Sequence, residues 1–253
     1  MIAASISGHE TSFQTNGIDS AGKKFILTDE TVTIGGTNET ITFVDCKREN
    51  GDDSFYYQDI FSKKKIVLHF TMGYLKGDVA MLTTQHVSVP FLVGRNGNIY
   101  NLFASKYWSY HLGSGTAGGN TAMSRECIGI EISNIGPLKK IGDNLVTTYS
   151  NSDVYCSLAE TQYYVKLENS FRGYEYYAKF TDNQYKSLIK LLKFLCRRYN
   201  IPKTFLSPSK RYQTLSANEF TNFSGIASHI NCRSDKVDIG PAFDWDKLIT
   251  GLS

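Results

Sequence analysis

The sequence contains no apolar run that is long enough to span a membrane. Residues 1–8 lack the basic start and the long apolar core of a secretory signal, so we expect synthesis in a cytoplasm. A net charge of +3 is too small to indicate nucleic-acid binding. The five cysteines are widely spaced and odd in number, which does not predict a disulfide framework.

The remaining composition is that of an ordinary soluble domain. Apolar residues make up 41% of the chain and charged residues 20%, and 253 residues are enough to bury a full core. These values predict one large domain, or one large domain with a small appendage.

The stretch KKIVLHFTMG, residues 64–73, has apolar side chains on both alternating faces. This pattern is typical of a buried central strand. His69 lies near its end, either as a core histidine that is hydrogen-bonded to a neighbour or as a functional group.

A second strand, ECIGIEISN, carries Glu131 on the face opposite Ile128, Ile130 and Ile132. A buried carboxylate is costly unless it is paired or lies beside a metal. We therefore expect Glu131 to line a cavity.

Local patterns predict further elements. Residues 1–60 are polar and β-leaning, with a hairpin around residues 35–38 and a short strand at SFYYQDIF. YLKGDVAMLTTQH is a weak helix, and VSVPFLVGRNGNIYNLF is a hairpin. Residues 137–180 are predicted to form a long, loop-like and tyrosine-rich surface excursion with some β character. Thr181 opens a capping box, and the helix that follows ends before Pro202.

His69, His229 and Asp238 are side chains of the type that binds metal. Three such ligands suit a catalytic zinc, because the fourth position can then hold a water. Spacing alone makes this a weak signal, because any chain with five histidines contains such triples.

The order of the motifs is more specific. KIVLHFT, VSVPFLVGRNGNIYNL, YWSYHLG, CIGIEISNIGPL, GIASHI and DKVDIGPAFDW follow one another in this order. In this order the chain resembles the zinc N-acetylmuramoyl-L-alanine amidases of the amidase-2 group, relatives of phage lysozyme-type amidases and of peptidoglycan recognition proteins. The resemblance covers roughly residues 60–250, and residues 1–60 lie outside it.

The resemblance implies roles at matching positions. His69, His229 and Asp238 take the places of the zinc ligands. Glu131 takes the place of the acidic residue regarded as general base in several members. Lys236 takes the place of a lysine that stabilises the oxyanion in many members.

The motif YWSYHLG corresponds to the Trp-His-Ala-Gly motif of family members. It implies that His111, at the edge of the cleft, contacts substrate together with Trp108 and Tyr110. One departure concerns the second ligand, where members often read His-Arg-Asp and this chain has His-Ile-Asn. Cys232 is therefore a rival to Asp238 as the third ligand, although the family context surrounds Asp238.

The resemblance implies an α/β fold with a mixed central β-sheet flanked by helices. Residues 61–253 form the catalytic domain, and residues 1–60 form a β-rich extension of unknown role. The expected activity is zinc-dependent hydrolysis of the amide bond between N-acetylmuramic acid and L-Ala in bacterial peptidoglycan. We expect peptidoglycan as partner, no nucleic acid, no membrane insertion, and a monomer.

Several alternatives remain open at this point. The protein could reach the cell wall or periplasm as a phage endolysin or as a delivered lytic effector, or it could recycle wall fragments in a cytoplasm. A peptidoglycan receptor without hydrolysis is the rival from another class, but such relatives typically lose the third ligand. A purely structural zinc needs a fourth protein ligand, and cleavage deeper in the stem peptide is a further alternative.

Overall fold

A computed structural model describes residues 2–253, with side chains from residue 8 onward, as twelve strands and six α-helices. The strands are β1 (Phe25–Thr33), β2 (Thr40–Arg48), β3 (Lys65–Phe70), β4 (Phe91–Val93), β5 (Ile99–Asn101), β6 (Cys127–Ile132), β7 (Pro137–Ile141), β8 (Asn144–Thr147), β9 (Val154–Ser157), β10 (Tyr164–Phe171), β11 (Tyr174–Ala178) and β12 (Gly225–Ser228). The helices are α1 (Ile2–Asn16), α2 (Leu75–Leu82), α3 (Asn120–Glu126), α4 (Asp182–Tyr199), α5 (Ala217–Asn222) and α6 (Trp245–Leu252).

Seven strands form a mixed central sheet in the order β1-β2-β5-β4-β6-β3-β12. Strand β3 is buried along its whole length and pairs in parallel with β6 on one side and β12 on the other. Parallel strands of this kind are covered on both faces, which explains why β3 has no exposed face. The prediction of a buried central strand around His69 is confirmed.

Helices cover both faces of this sheet. On one face, α4 and α6 pack on a core that includes Ile128, Ile130 and Ile132 of β6. On the other face, α2 contributes to one apolar cluster, while Met123 of α3 and Phe220 of α5 pack in another with Val67. The predicted α/β class, a mixed sheet flanked by helices, is confirmed.

Two segments fold into the elements that their local sequence patterns predicted. Strands β4 and β5 make the expected antiparallel hairpin, with Gly97 at φ 93° in the turn. At the start of α4, Thr181 Oγ1 accepts from the Gln184 backbone N–H (3.1 Å), and Gln184 Oε1 accepts from the Thr181 N–H (3.0 Å). This reciprocal capping box satisfies two backbone donors that the helix itself cannot pair.

The first 60 residues differ in part from the prediction. The hairpin is present as β1 and β2, which are extra strands of the central sheet because β2 pairs with β5. SFYYQDIF is not a strand and makes only an isolated bridge between Tyr57 and Trp108. The division of the chain at residue 60 stays a prediction.

Helix α1 was not predicted. It is held in place by contacts with residues that are distant in sequence. Phe13 is fully buried against Phe25 and Tyr100, and the Glu10 carboxylate accepts from the backbone N–H groups of Arg95 and Asn96. The local sequence is polar and only weakly periodic, so these contacts rather than a helical pattern hold the segment.

Residues 137–180 have the predicted β character, but they form an ordered sheet rather than a surface excursion. The segment folds into an antiparallel sheet with the strand order β10-β11-β7-β8-β9. A small core of its own lies beneath it, formed by Ile135, Leu138, Leu145, Tyr155, Cys156 and Ala178. Tyr155 and Cys156 are adjacent and both fully buried, so the polar-apolar alternation that identifies a strand is missing.

Among the helices within residues 2–253, none is both long and apolar enough to cross a membrane. All five cysteines fall in this described part, and each is buried with a free thiol. The chain therefore relies on its apolar cores rather than on disulfides, as its cysteine content predicted.

Asp78 of α2 should make stability depend on pH. It is 4% exposed, its Oδ2 accepts from Ser133 Oγ at 2.5 Å, and burial raises its pKa from 3.8 to about 7. A carboxyl with a raised pKa stabilises the fold below its unfolded pKa, and this stability is lost as pH rises through the folded pKa. At about 1.4 kcal/mol per pKa unit, a few kcal/mol should be lost between about pH 4 and pH 7.

Asp78→Asn cannot ionise, so the variant should gain stability relative to the parent as pH rises. Urea unfolding of parent and variant at about pH 5 and about pH 8 measures this change. Asp59→Asn, at an exposed carboxyl, is the control. A parent-variant difference that stays constant with pH would contradict the assignment.

Candidate active site

Three functional side chains lie where parallel strands end. His69 is the fifth residue of β3 and pairs in register with Glu131 of β6. On the other side of β3, Leu68 pairs with Ser228 of β12. The next residue along each chain segment is a histidine, so His229 lies beside His69. Because successive side chains of a strand point to opposite faces, all three side chains lie on the sheet face that carries Val67. Sites of α/β folds commonly form at the carboxyl ends of such strands.

A returning loop adds Asp238 to this group. The backbone N–H of Ile230 donates to the Asp238 carbonyl at 2.9 Å, which closes the loop over the end of β12. Asp238 Oδ2 then lies 2.9 Å from His229 Nδ1 and 3.2 Å from His69 Nδ1, while the two Nδ1 atoms are 3.0 Å apart. The three ligand-type residues predicted from the sequence are therefore brought together.

These three atoms fit a tetrahedral metal ion. Zinc bonds to nitrogen and oxygen of about 2.0–2.1 Å place tetrahedral donors about 3.3 Å apart, close to the separations observed. Two imidazoles and one carboxylate form a donor set that zinc prefers. In the part of the chain that the structure describes, His69, His229 and Asp238 are the one group of His, Cys, Asp or Glu side chains with this proximity.

Burial favours the protonation states that a metal site needs. Burial, together with the charge of His229, lowers the pKa of His69 to about 4. Burial acts to raise the pKa of Asp238, but the charges and hydrogen bonds of the two histidines outweigh it and hold this pKa below its usual range. A neutral His69 and an ionised Asp238 are both competent ligands.

Outer hydrogen bonds orient both imidazoles. His229 Nε2 lies 2.8 Å from the Leu112 carbonyl oxygen, and His69 Nε2 lies 3.0 Å from His111 Nδ1. His229 Nε2 donates, because a carbonyl oxygen can only accept. With Nδ1 of His69 bound to a metal ion, its Nε2 carries the proton and donates to His111. Such outer contacts fix the tautomer of a ligating histidine.

A cavity of about 400 Å³ opens beside the cluster. His229 forms part of its wall together with Tyr110, His111 and Lys236. Tyr110, His111 and Lys236 thus line the same cavity as the ligand-type residue His229.

Glu131 is half-buried on the same sheet face, and its Oε2 has no hydrogen-bond partner among the described residues. Burial raises its pKa well above the usual range, and the charges of Asp238 and Asp78 add to this effect, whereas Lys236 opposes it. A carboxyl group without a partner beside a cation site has the chemistry of a proton acceptor.

Sequence comparison agrees with this geometry. Residues 60–241 match the family of N-acetylmuramoyl-L-alanine amidases, Amidase_2. The chain belongs to this family. Comparison with curated protein sequences gave no match.

Solved structures of amidases are similar in fold. The N-acetylmuramyl-L-alanine amidase AmiD from E. coli, in complex with anhydro-N-acetylmuramic acid-L-Ala-D-gamma-Glu-L-Lys, is 22% identical with a TM-score of 0.51. The match covers 77% of this chain but 59% of AmiD, so this chain spans little more than half of that relative.

Two other structures are more distant. AMPDH3 from Pseudomonas aeruginosa is 20% identical over 77% of this chain and 61% of its own, with a TM-score of 0.46. The endolysin LysCS from Clostridium intestinale is 14% identical over 78% of this chain and 90% of its own, with a TM-score of 0.42.

Trp108 does not occupy the position predicted for it. It is 3% exposed, stacks on Tyr57 with ring centroids 4.4 Å apart, and carries the Arg125 guanidinium 4.8 Å above its ring. It is absent from the cavity wall, which its neighbour Tyr110 lines. Substrate contact by Trp108 is therefore corrected to a packing role beneath Tyr57.

Cys232, the rival ligand, is not part of the donor cluster formed by His69, His229 and Asp238. Its thiol donates to the His229 carbonyl at 3.3 Å, and it is fully buried in the apolar cluster around Val67. Burial also raises the pKa of this thiol, which disfavours the thiolate that a metal binds. The geometry favours Asp238.

Two contributors to the site were missed by sequence reasoning. The Leu112 carbonyl accepts from His229 Nε2, and it also accepts from Arg233 Nη1 at 3.2 Å. Arg233, held by Asp235 through bonds of 2.9 and 2.6 Å, lines the cavity. The sequence could not predict the Leu112 contact, because every residue has a backbone carbonyl. It could not single out Arg233 either, because nothing in the local sequence distinguishes it from a surface arginine.

Proposed function

We propose that this chain hydrolyses the amide bond between N-acetylmuramic acid and L-Ala in bacterial peptidoglycan, with Zn²⁺ held by His69, His229 and Asp238. The observation that carries the proposal is the cluster of three donor atoms, 2.9 to 3.2 Å apart, beside an open cavity. Family membership supports the reaction. The molecule bound to the similar AmiD also contains a muramic acid–L-Ala bond.

Each side chain has a distinct task in this reaction. A Zn²⁺ ion held by these three residues would supply Lewis acidity for the scissile carbonyl and for water. Glu131 accepts the proton of the attacking water and passes it to the departing L-Ala amine, which restores the carboxylate. The Lys236 ammonium stabilises the negative charge that develops on the carbonyl oxygen. Tyr110 and His111 form the wall against which the substrate lies.

The proposed setting is lysis of the bacterial cell wall by a phage endolysin or by a delivered lytic effector. The protein acts there as a monomer, on the wall or in the periplasm, after release from or delivery into a cell. A recycling enzyme, by contrast, acts on soluble fragments. Relative turnover on intact sacculi and on soluble muropeptides distinguishes these settings.

The deciding experiment is digestion of purified peptidoglycan by zinc-loaded protein, with a chelator-treated sample beside it and mass spectrometry of the products. We expect zinc-dependent release of stem peptides with a free L-Ala amine, while the glycan strands stay intact. Binding of peptidoglycan without any product would indicate a receptor rather than an enzyme. Cleavage inside the stem peptide would keep the zinc site and overturn the proposed bond.

A further inference from the structure

One of the two ligand histidines is held by another imidazole. His69 Nε2 lies 3.0 Å from His111 Nδ1, and their rings meet edge to face with centroids 5.2 Å apart. With its Nδ1, which faces His229 and Asp238, bound to a metal ion, His69 carries its proton on Nε2 and donates from there. His111 Nδ1 is therefore the acceptor, and the remaining proton of His111 is on Nε2.

The space for this contact comes from a missing side chain on β6. A Cβ atom at Gly129 would lie 2.9 Å from His111 Nδ1 and 2.5 Å from Cγ1 of Val89. Gly129 pairs with Val67, two residues before His69 on the neighbouring strand. The glycine thus lets the His111 ring lie against the sheet and reach the His69 ring.

The next residue in the chain performs the same task for the other ligand. The Leu112 carbonyl accepts from His229 Nε2 at 2.8 Å, and Arg233 Nη1 donates to the same oxygen. Consecutive residues of one loop therefore contact the outer nitrogen of both ligand histidines. The interaction with His111 is the one made by a side chain, so mutation can test it.

We propose that His111 is a positioning residue for the metal: its Nδ1 holds the Nε2–H tautomer of His69, so that His69 Nδ1 faces the zinc ion. The proposal rests on the zinc site of the proposed function. It gives His111 a task that the family resemblance did not imply, since that resemblance predicted contact with substrate. The two tasks make different predictions, because a substrate contact leaves metal affinity unchanged.

The test compares two substitutions of similar size. In His111→Asn, the side-chain oxygen is bonded to Cγ, as Nδ1 is in histidine, so it can accept from His69. In His111→Leu, the acceptor is lost. Competition with a chromophoric chelator should show zinc affinity about 10–100-fold weaker for His111→Leu, as for other outer hydrogen bonds, and largely retained for His111→Asn.

His86→Leu is the matched control, because His86 is exposed and stacks on Tyr57 rather than on a ligand. Thermal unfolding of the metal-free variants checks that each is folded. Unchanged zinc affinity in His111→Leu would overturn the proposal. Equal weakening in both substitutions would also overturn it, because the acceptor would then not be the feature that matters.

The parent protein provides a test that needs no variant. Nitrogen-15 NMR of the zinc-loaded protein should show the His69 Nε2 proton protected from exchange and a coupling across the hydrogen bond to His111 Nδ1. Absence of both signals in a zinc-loaded sample would overturn the proposal while leaving the proposed function intact. A parent protein that binds no zinc would overturn both.

Discussion

Replacing Asp238 with alanine is expected to remove zinc binding and peptidoglycan hydrolysis together. Asp238 Oδ2 is the single anionic donor of the cluster, 2.9 Å from His229 Nδ1 and 3.2 Å from His69 Nδ1. Without it, two buried neutral imidazoles must hold a divalent cation alone. The loss of affinity should exceed the roughly 10–100-fold that follows removal of an outer hydrogen bond. Metal content after dialysis and product release from sacculi measure the two effects.

Cys232→Ala is the matched control for this prediction. Cys232 lies in the same loop region and is the rival ligand, but its thiol bonds to the His229 carbonyl and packs in an apolar cluster. This variant should keep its zinc and its turnover. If Cys232→Ala lost zinc while Asp238→Ala kept it, the ligand assignment would be wrong.

Glu131→Gln is expected to lower turnover by about 10²–10⁴-fold, the usual contribution of a general acid-base group, with zinc still bound. Glutamine keeps the shape of the side chain but cannot accept the proton of the attacking water. Glu131 lies on the strand next to His69, in register with it, so the loss should fall on the chemical step rather than on metal affinity. Steady-state hydrolysis of a soluble muropeptide, together with metal content, measures this.

Glu168→Gln on β10 serves as the control, because that carboxylate is exposed and lies on the five-stranded sheet, whereas Glu131 pairs in register with His69 on the central sheet. It should hydrolyse the muropeptide at the parent rate. Near-normal turnover in zinc-loaded Glu131→Gln would show that Glu131 is not the proton acceptor. Loss of zinc in the same variant would instead indicate that Glu131 supports the metal site.

The elements predicted correctly are those with strong local patterns. The central strand around His69 has apolar residues on both alternating faces, and α4 begins with a capping box whose two hydrogen bonds lie within four residues. The hairpin of β4 and β5 needs only a short turn with a glycine at positive φ. The capping box and the hairpin turn join residues that are close in sequence. The apolar pattern of β3 predicts its burial, although its partners β6 and β12 are distant in sequence.

The elements that were missed depend on distant partners. Helix α1 is held by Phe13 against Phe25 and Tyr100, and β12 is a four-residue strand whose parallel partner β3 lies about 160 residues earlier. Short segments of this kind carry too few residues for a period to be visible. Their structure follows from packing that brings remote parts of the chain together.

For the site, the sequence by itself determined the chemistry that is available: two imidazoles, two carboxylates and an ammonium in an order that resembles a known family. Only the tertiary structure decided how these groups are arranged. Parallel pairing of β3 with β6 and β12 places His69, Glu131 and His229 at one sheet edge, and the loop closed by Ile230 selects Asp238 over Cys232. Side-chain identity is local, but a metal site requires donors about 3 Å apart, and only folding sets that distance.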